Sequence, residues 1–359
     1  MDMLSKKLAV VKSVIGESDE MQELAVLVGD KDEKAISYIP LTGRAKPGQS
    51  VLLNTTAVEL SLGTGGFHFV IANLDEPESS MTPGGHIMKL RYTPYQIKCM
   101  AVEEQDSKYH EQMQLFESLE KLPVVVGTLH SQLVPFACTA KSLMPAKSIT
   151  YIMTDGAALP MYLSKNVKEL KSKGLIDHTI TCGNSFGGDY ECVNVYSAMI
   201  FAKQVLMSDM IFICMGPGIV GTGTKYGFTG IEQAYILDAA GRLGGTPIAV
   251  PRVSFADKRQ RHTGISHHTV TVLRDAVCSR VVVPVNVQDG EKLAVLEKQL
   301  MESGLLELHE IYMVKSDSTK ASMDEFGMKV KSMGRGYDED EEFFKSSSGA
   351  ASYIAEVLL

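Results

Sequence analysis

The sequence predicts an α/β protein built as a small β-barrel or β-sandwich-like domain followed by a three-layer, Rossmann-like α/β domain with a mostly parallel sheet. Three observations carry that expectation. Short strand-like runs broken by glycine and proline turns fill the first quarter of the chain, apolar runs alternate with helical stretches from Leu122 onward, and 359 residues exceed the length at which one core keeps growing. The expected organisation is a β-rich domain over 1–95, a connecting helix within 96–121, and the α/β domain over 122–359.

In the first part the strand-like runs are Leu8 to Ile15, Glu23 to Val28, Ala35 to Ile39, Ser50 to Leu60, Phe67 to Asn73 and His86 to Tyr92. Lys46-Pro47-Gly48 places a fixed φ beside a residue free to take a positive one, as a tight turn requires, and Gly63, Gly65 and Gly66 do the same before Phe67. Ala101 to Leu119 reads as a polar connecting helix.

The α/β part offers buried-type strands at Pro123 to Thr128, Ile149 to Thr154, His178 to Cys182, Met210 to Met215, Pro247 to Val250, Arg280 to Val285 and Glu310 to Val314. Runs such as Val124-Val125-Val126 are apolar at every position, which suits strands covered by helices on both sides. Ser164 is placed to cap a lysine-rich helix that closes at Gly174. Thr229-Gly230-Ile231-Glu232 has the spacing of a capping box, opening a helix that ends at Gly244-Gly245. Ser131 is equally suited to cap a helix over Gln132 to Leu143. Asp338 to Glu342 reads as a solvated acidic loop.

Composition narrows the function classes. Thirty-five basic against 43 acidic residues give a formal charge of -8, which disfavours nucleic acid and anionic membranes as partners. No apolar run is long enough to span a bilayer and no signal-peptide pattern follows Lys6 and Lys7, so a cytoplasmic protein is expected. The six cysteines have neither CxxC pairing nor zinc-type spacing and are expected to be reduced and mostly buried. A homo-oligomer is compatible with all of this.

In a parallel sheet the ligand site lies beyond the carboxyl ends of the strands, and here every such loop is polar or glycine-rich. Gly216, Gly218 and Gly221 have the GxGxxG spacing, but the helix start falls near Gly230 rather than at the third glycine, so a regular dinucleotide site is not expected. A phosphate-loop pattern fails too, because Thr224 stands at the lysine position and Lys225 one residue late. What remains are the parts of an anion site: Gly216, Gly218, Gly221 and Gly223 to free backbone amides, Thr222 and Thr224 to add hydroxyls, and Lys225 and Arg252 to add charge. The segment Arg252 to His268 brings more basic residues and three histidines. His262 and His267 are candidates for acid–base work, and Asp155 and Asp189 for acid, base or metal ligand. The histidine spacing shows no dedicated metal motif, and of the adjacent pair His267 and His268 at most one is expected to face a given site. Cys182 reads as a buried small hydrophobe, His130-Ser131 lacks a nucleophile elbow, and His68 reads as a residue on the polar face of a strand.

Four segments, Pro47-Gly48-Gln49-Ser50-Val51-Leu52-Leu53-Asn54-Thr55-Thr56-Ala57, Leu62-Gly63-Thr64-Gly65-Gly66-Phe67-His68, Gly221-Thr222-Gly223-Thr224 and Gly264-Ile265-Ser266-His267-His268-Thr269, together resemble a bacterial family of domains of unknown function along most of the chain. The resemblance implies a bacterial source and supplies no reaction, cofactor or site residue. The residues themselves suggest a protein that binds a phosphate-bearing or nucleotide-like small molecule, with an enzyme, a non-catalytic sensor and a structural assembly protein all still open.

Overall fold

The computed structural model describes residues 3–358 and divides them into two compact units. The first runs to Pro83 and includes Thr93–Tyr95. It is a closed barrel of β1 (Lys6–Glu17), β2 (Met21–Val28), β3 (Lys31–Tyr38), β4 (Ser50–Asn54) and β5 (Phe67–Asn73). Their order is β1-β2-β3-β5-β4, with β3 and β5 parallel, the connectivity of an OB-type barrel. Register shifts at Val11/Ser13 and Val14/Gly16 bend β1, which pairs with β2 on one side and β4 on the other. Alternate positions send Val11, Leu24, Val26, Val51 and Leu53 inward.

Two expectations for this unit need correction. The run Ser50 to Leu60 is a strand only to Asn54, because Thr56–Glu59 turn as one helical turn. His68 is not on a polar face: strand alternation places it with Val70, it is 2% exposed, and its Nε2 contacts the Glu33 carboxylate.

The second unit takes Gly84–Tyr92 and everything from Gln96 onward. β6 (Ile87–Lys89) and β7 (Ile97–Cys99) form a small antiparallel pair. The main sheet follows as β8 (Pro123–Val126), β9 (Ile149–Thr154), β10 (His178–Cys182), β11 (Tyr190–Cys192), β12 (Met210–Met215) and β13 (Thr246–Ala249). A short antiparallel pair, β14 (Val253–Ser254) with β15 (Gly264–Ile265), precedes the last two strands, β16 (Val282–Val285) and β17 (Glu310–Met313). The eight strands of the main sheet lie all parallel in the order β11-β10-β9-β12-β8-β13-β16-β17.

Both faces of the central strands of this sheet are dry. Val125 points into one apolar layer with the helices Leu133–Leu143, Lys165–Ser172 and Glu341–Tyr353. Val124 and Val126 point into the other, with Val195–Gln204, Glu232–Arg242 and Gly290–Glu302. The chain leaving β8 crosses the first face and the chain leaving β13 crosses the second, although the two strands are neighbours. Their onward segments diverge and open a crevice above the strand ends, the topological switch point where α/β sheets bind ligands.

Helix boundaries follow local chemistry. Ser164 caps Lys165–Ser172 by accepting from the Val167 amide, and Gly174 takes φ +67° just beyond its end. The stretch Ala101 to Leu119 is helical only over His110–Gln114; the remainder is turns. Ser131 caps nothing: it donates to Ser332, while a tight turn over His130–Gln132 leads into the helix. The acidic run is not a solvated loop either, because Asp340 and Glu342 are buried, the first against Ser254 and Arg335 and the second against Lys292. All six cysteines are free; Cys138, Cys182, Cys192 and Cys214 are buried, Cys99 is half-buried and Cys278 is exposed. Burial pushes the Cys99 and Cys138 thiols up to about 11 and about 12. Among the described residues, no helix is long and apolar enough to cross a membrane.

Strand β11 has no counterpart in the sequence reading. It pairs parallel with β10 across a connection of only seven residues, Gly183 to Asp189, far shorter than the usual crossover. Positive φ at Gly183 and Gly187 makes the reversal sterically accessible. Lys89 holds it shut. Its side chain is 1% exposed, and its ammonium donates to the Ser185 carbonyl at 2.6 Å, the Thr181 carbonyl at 3.2 Å and Glu191 at 2.5 Å. Glu191 in turn accepts from the Gly187 amide at 2.7 Å. Lys89→Met leaves the part-buried Glu191 carboxylate without its cation and should destabilise the chain by about 3 kcal/mol. In denaturant unfolding, adding Glu191→Gln should return part of that loss.

Candidate functional site

The crevice is closed by the segment that follows β13. The β14–β15 pair holds its two ends together, and Gln299 clamps it from the helix Gly290–Glu302, accepting from the Ile265 amide at 2.9 Å and donating to the Thr263 carbonyl at 3.0 Å. Gly264 is required there: φ is +73°, and a Cβ would collide with the Gln299 amide.

Inside this frame sits an ionic network. Arg252 is 7% exposed and reaches Asp257 at 3.0 Å. Arg259 binds the same carboxylate through Nε and Nη2 at 3.0 and 2.8 Å. The hydrogen bond from Arg259 holds the Asp257 carboxyl well below the usual range despite its burial. Arg252 Nη1 also lies 3.2 Å from His262 Nδ1, while its Nε is buried without a partner.

Three imidazoles meet beside it. His262 ends a one-turn helix, and His267 and His268 open the helix His267–Thr271, which Ser266 caps. Ser266 Oγ accepts from the His268 amide at 3.3 Å and bonds His262 Nδ1 at 2.8 Å. Ring centroids are 4.8 Å apart for His262 and His267, 5.2 Å for His262 and His268, and 4.1 Å for His267 and His268. At a helix start the chain turns between the adjacent pair, so both rings approach His262, while of the two only His268 lines the pocket described below. His268 also stacks on Phe228 at 3.9 Å. Burial first and Arg252 second bring His262 down to about 3; burial and then His267 bring His268 down to about 4. His267 is lowered by burial and by Arg261. All three are neutral at neutral pH.

The pocket in the crevice is lined by Thr128 and Leu129 after β8, by Ile219–Gly221, Gly223 and Phe228 after β12, by Met333, and by Arg252, Arg259, Arg261, His262 and His268 after β13. Its cations come from the last segment. Lys225 points elsewhere, paired with Asp275 at 3.1 Å and lying over the Tyr226 ring.

The glycine-rich loop folds on itself. Gly221 bridges to Phe228, the Thr222 amide donates to the Gly227 carbonyl at 2.8 Å, and the Thr222 and Thr224 hydroxyls meet at 2.9 Å. Gly216 has a packing reason, since a Cβ would stand 2.5 Å from the Ala158 carbonyl oxygen; Gly218 and Gly223 take φ +108° and +79°. Of the residues expected to bind an anion, Gly221, Gly223 and Arg252 line the pocket, whereas Gly216, Gly218, Thr222, Thr224 and Lys225 do not. Arg259 and Arg261 do, and their signal was the density of basic residues between Arg252 and His268.

Neither predicted carboxylate joins them. Asp155 accepts from the Asn184 amide and side chain at 2.9 and 3.2 Å. Asp189 pairs with Lys171 and accepts from Thr179, contacts that outweigh its burial and keep its carboxyl low. It anchors the β10–β11 reversal. His130 is also structural, bonded to Tyr151 and Ser164 and lowered to about 4 by burial.

The capping box at Thr229 does not form. Thr229 accepts from the Val220 amide instead, and Glu232 turns to Thr154, whose hydroxyl donates at 2.5 Å. Burial, with Asp155 nearby, raises the Glu232 carboxyl to about 7. This group was legible in the sequence only as a cap. A carboxyl raised on folding is most stabilising below its unfolded value near 4.5 and loses that contribution as pH rises to about 7. Glu232→Gln keeps the acceptor and cannot ionise, so its stability relative to wild type should climb between pH 4.5 and 7 by on the order of 3 kcal/mol and then level off, as read from denaturant midpoints at each pH.

Comparison with known proteins adds a family and nothing finer. No curated protein and no solved structure matches the chain. The match to the family described as "Protein of unknown function (DUF3866)" spans residues 34–351, from within the barrel through the last long helix, and the chain belongs to that family.

Proposed function

We propose that the chain binds a phosphate-bearing small molecule in the pocket between the ends of β8, β12 and β13. One observation carries the reading: Arg252, Arg259 and Arg261 converge on a strand-end crevice in which one carboxylate, Asp257, is shared by Arg252 and Arg259. Guanidinium groups present planar, paired donors that suit phosphate oxygens. Burial lowers the local dielectric and strengthens the attraction between the Arg252 guanidinium and an anion, and its unpartnered Nε leaves a donor to satisfy. Phe228 and Leu129 offer apolar contact for the rest of the molecule. The neutral imidazoles of His262 and His268 on the same wall can accept a proton from an attacking water or hydroxyl, which favours an enzyme acting on the ligand over a passive sensor. A reducing compartment, the bacterial cytoplasm, suits the six unpaired thiols.

Calorimetry or thermal shift with inorganic phosphate, nucleotides and sugar phosphates tests this directly. Arg261→Ala and Arg259→Ala should each weaken binding about 10- to 100-fold, the loss of one charge-assisted contact. Gly221→Val should weaken it as well, because its Cβ would stand 3.6 Å from the His268 ring edge and its methyl groups would fill the cavity wall. Lys225→Met should leave affinity unchanged. If no phosphate compound shifts the wild-type melting curve, the pocket reading is wrong.

A further inference from the structure

We infer that His262, His267 and His268 form a three-histidine binding site for a transition-metal ion such as Zn²⁺, set in the wall of the same pocket. The inference deepens the pocket reading by giving the bound anion a metal to complete.

Three imidazole ligand atoms lie within 4.8 Å of one another. Zn²⁺ holds imidazole nitrogens at about 2.0–2.1 Å, which places pairs of ligands about 3.3 Å apart, so modest ring rotations close the set. Two of the rings are half-buried and can make them. His267 Nε2 is buried without a hydrogen-bond partner, and an orphaned buried nitrogen in a histidine cluster is what an absent ion leaves behind. His262 is fixed from behind, as metal-bound imidazoles are: its Nδ1 sits 2.8 Å from Ser266 Oγ, leaving Nε2 for the ion. In that state Nδ1 carries the proton and Ser266 accepts it. Arg252 then gives up its 3.2 Å contact with Nδ1 and is free to turn to the ligand. Ser266 also caps the helix that presents His267 and His268, so one hydroxyl aligns all three rings.

A dication near three guanidinium groups is unfavourable alone. Three protein ligands leave the fourth position of a tetrahedral ion open, and His262 and His268 face the pocket. An anion in that position bridges metal and arginines and cancels the repulsion. Metal and phosphate must therefore bind cooperatively, each raising the affinity of the other by the same factor.

The test uses the full chain, freed of metal by chelation. ZnCl₂ titrated by calorimetry should show one saturable equivalent, and CoCl₂ should develop the visible bands of tetrahedral Co²⁺. His268→Phe keeps the stack on Phe228 but removes a ligand atom, and His267→Ala removes another; each should lower metal affinity at least about 100-fold while the melting transition stays cooperative. Inorganic phosphate should tighten Zn²⁺ binding. Absence of a saturable equivalent, or histidine variants that titrate like wild type, overturns the metal site. Phosphate binding measured on the metal-free protein separates the two claims: if it persists while the metal titration fails, the pocket reading stands alone. A saturable metal site whose affinity phosphate does not change overturns the coupling of metal and anion and leaves the histidine site, while the pocket reading is decided by the metal-free phosphate titration.

Discussion

Burying both faces of the central strands of a parallel sheet pushes polar chemistry to the sheet edges and beyond the strand ends, and the arrangement of the second unit follows from that constraint. Strands β8, β9 and β12 are buried at every residue, and a charge anywhere along them would forfeit its hydration. The exits from β8 and β13 pass to opposite faces, so the crevice between them is the place where loops part and side chains can converge. The residues that line it come from the loops after β8, β12 and β13 and from Met333, segments brought together by the sheet.

The electrostatics of that crevice depend on a single buried carboxylate. Asp257 ties Arg252 to Arg259, keeps two guanidinium groups from repelling each other apart, and is itself held ionised by them. Their positive field, added to burial, keeps the nearby imidazoles neutral. Neutral rings are nucleophilic, can ligate, and can accept a proton, which charged rings cannot. Cationic arginines and uncharged histidines within one wall are thus consequences of one arrangement.

Much of this architecture was legible in the sequence because short buried-type runs alternate with helical stretches: Ile149–Thr154, His178–Cys182 and Met210–Met215 were read with their observed limits. The barrel was legible through its turns. Strand β11 was not, since Tyr190-Glu191-Cys192 lacks an apolar run and owes its place to a buried lysine some hundred residues earlier in the chain. The site was half legible. Glycine spacing drew attention to the loop after β12 and to Lys225, yet Lys225 is neutralised by Asp275, fifty residues downstream. Asp155 and Asp189 sit at strand ends as expected, but their partners Asn184, Lys171 and Thr179 commit them to holding loops. Convergence of His262, His267 and His268 depends on a capped helix start, a geometry that residue spacing alone does not carry.

The distribution of thiols has a practical consequence. Four cysteines are enclosed and a fifth is partly covered, so a maleimide fluorophore or spin label will find Cys278 first. That residue lies two positions past the helical segment continuing from His267–Thr271 through Val272–Ala276, and its amide is tied to Asp238. A reporter attached there rides on the same backbone as two of the three clustered imidazoles. The wild-type chain therefore already carries an optical handle on the movement of that wall, without any engineered cysteine.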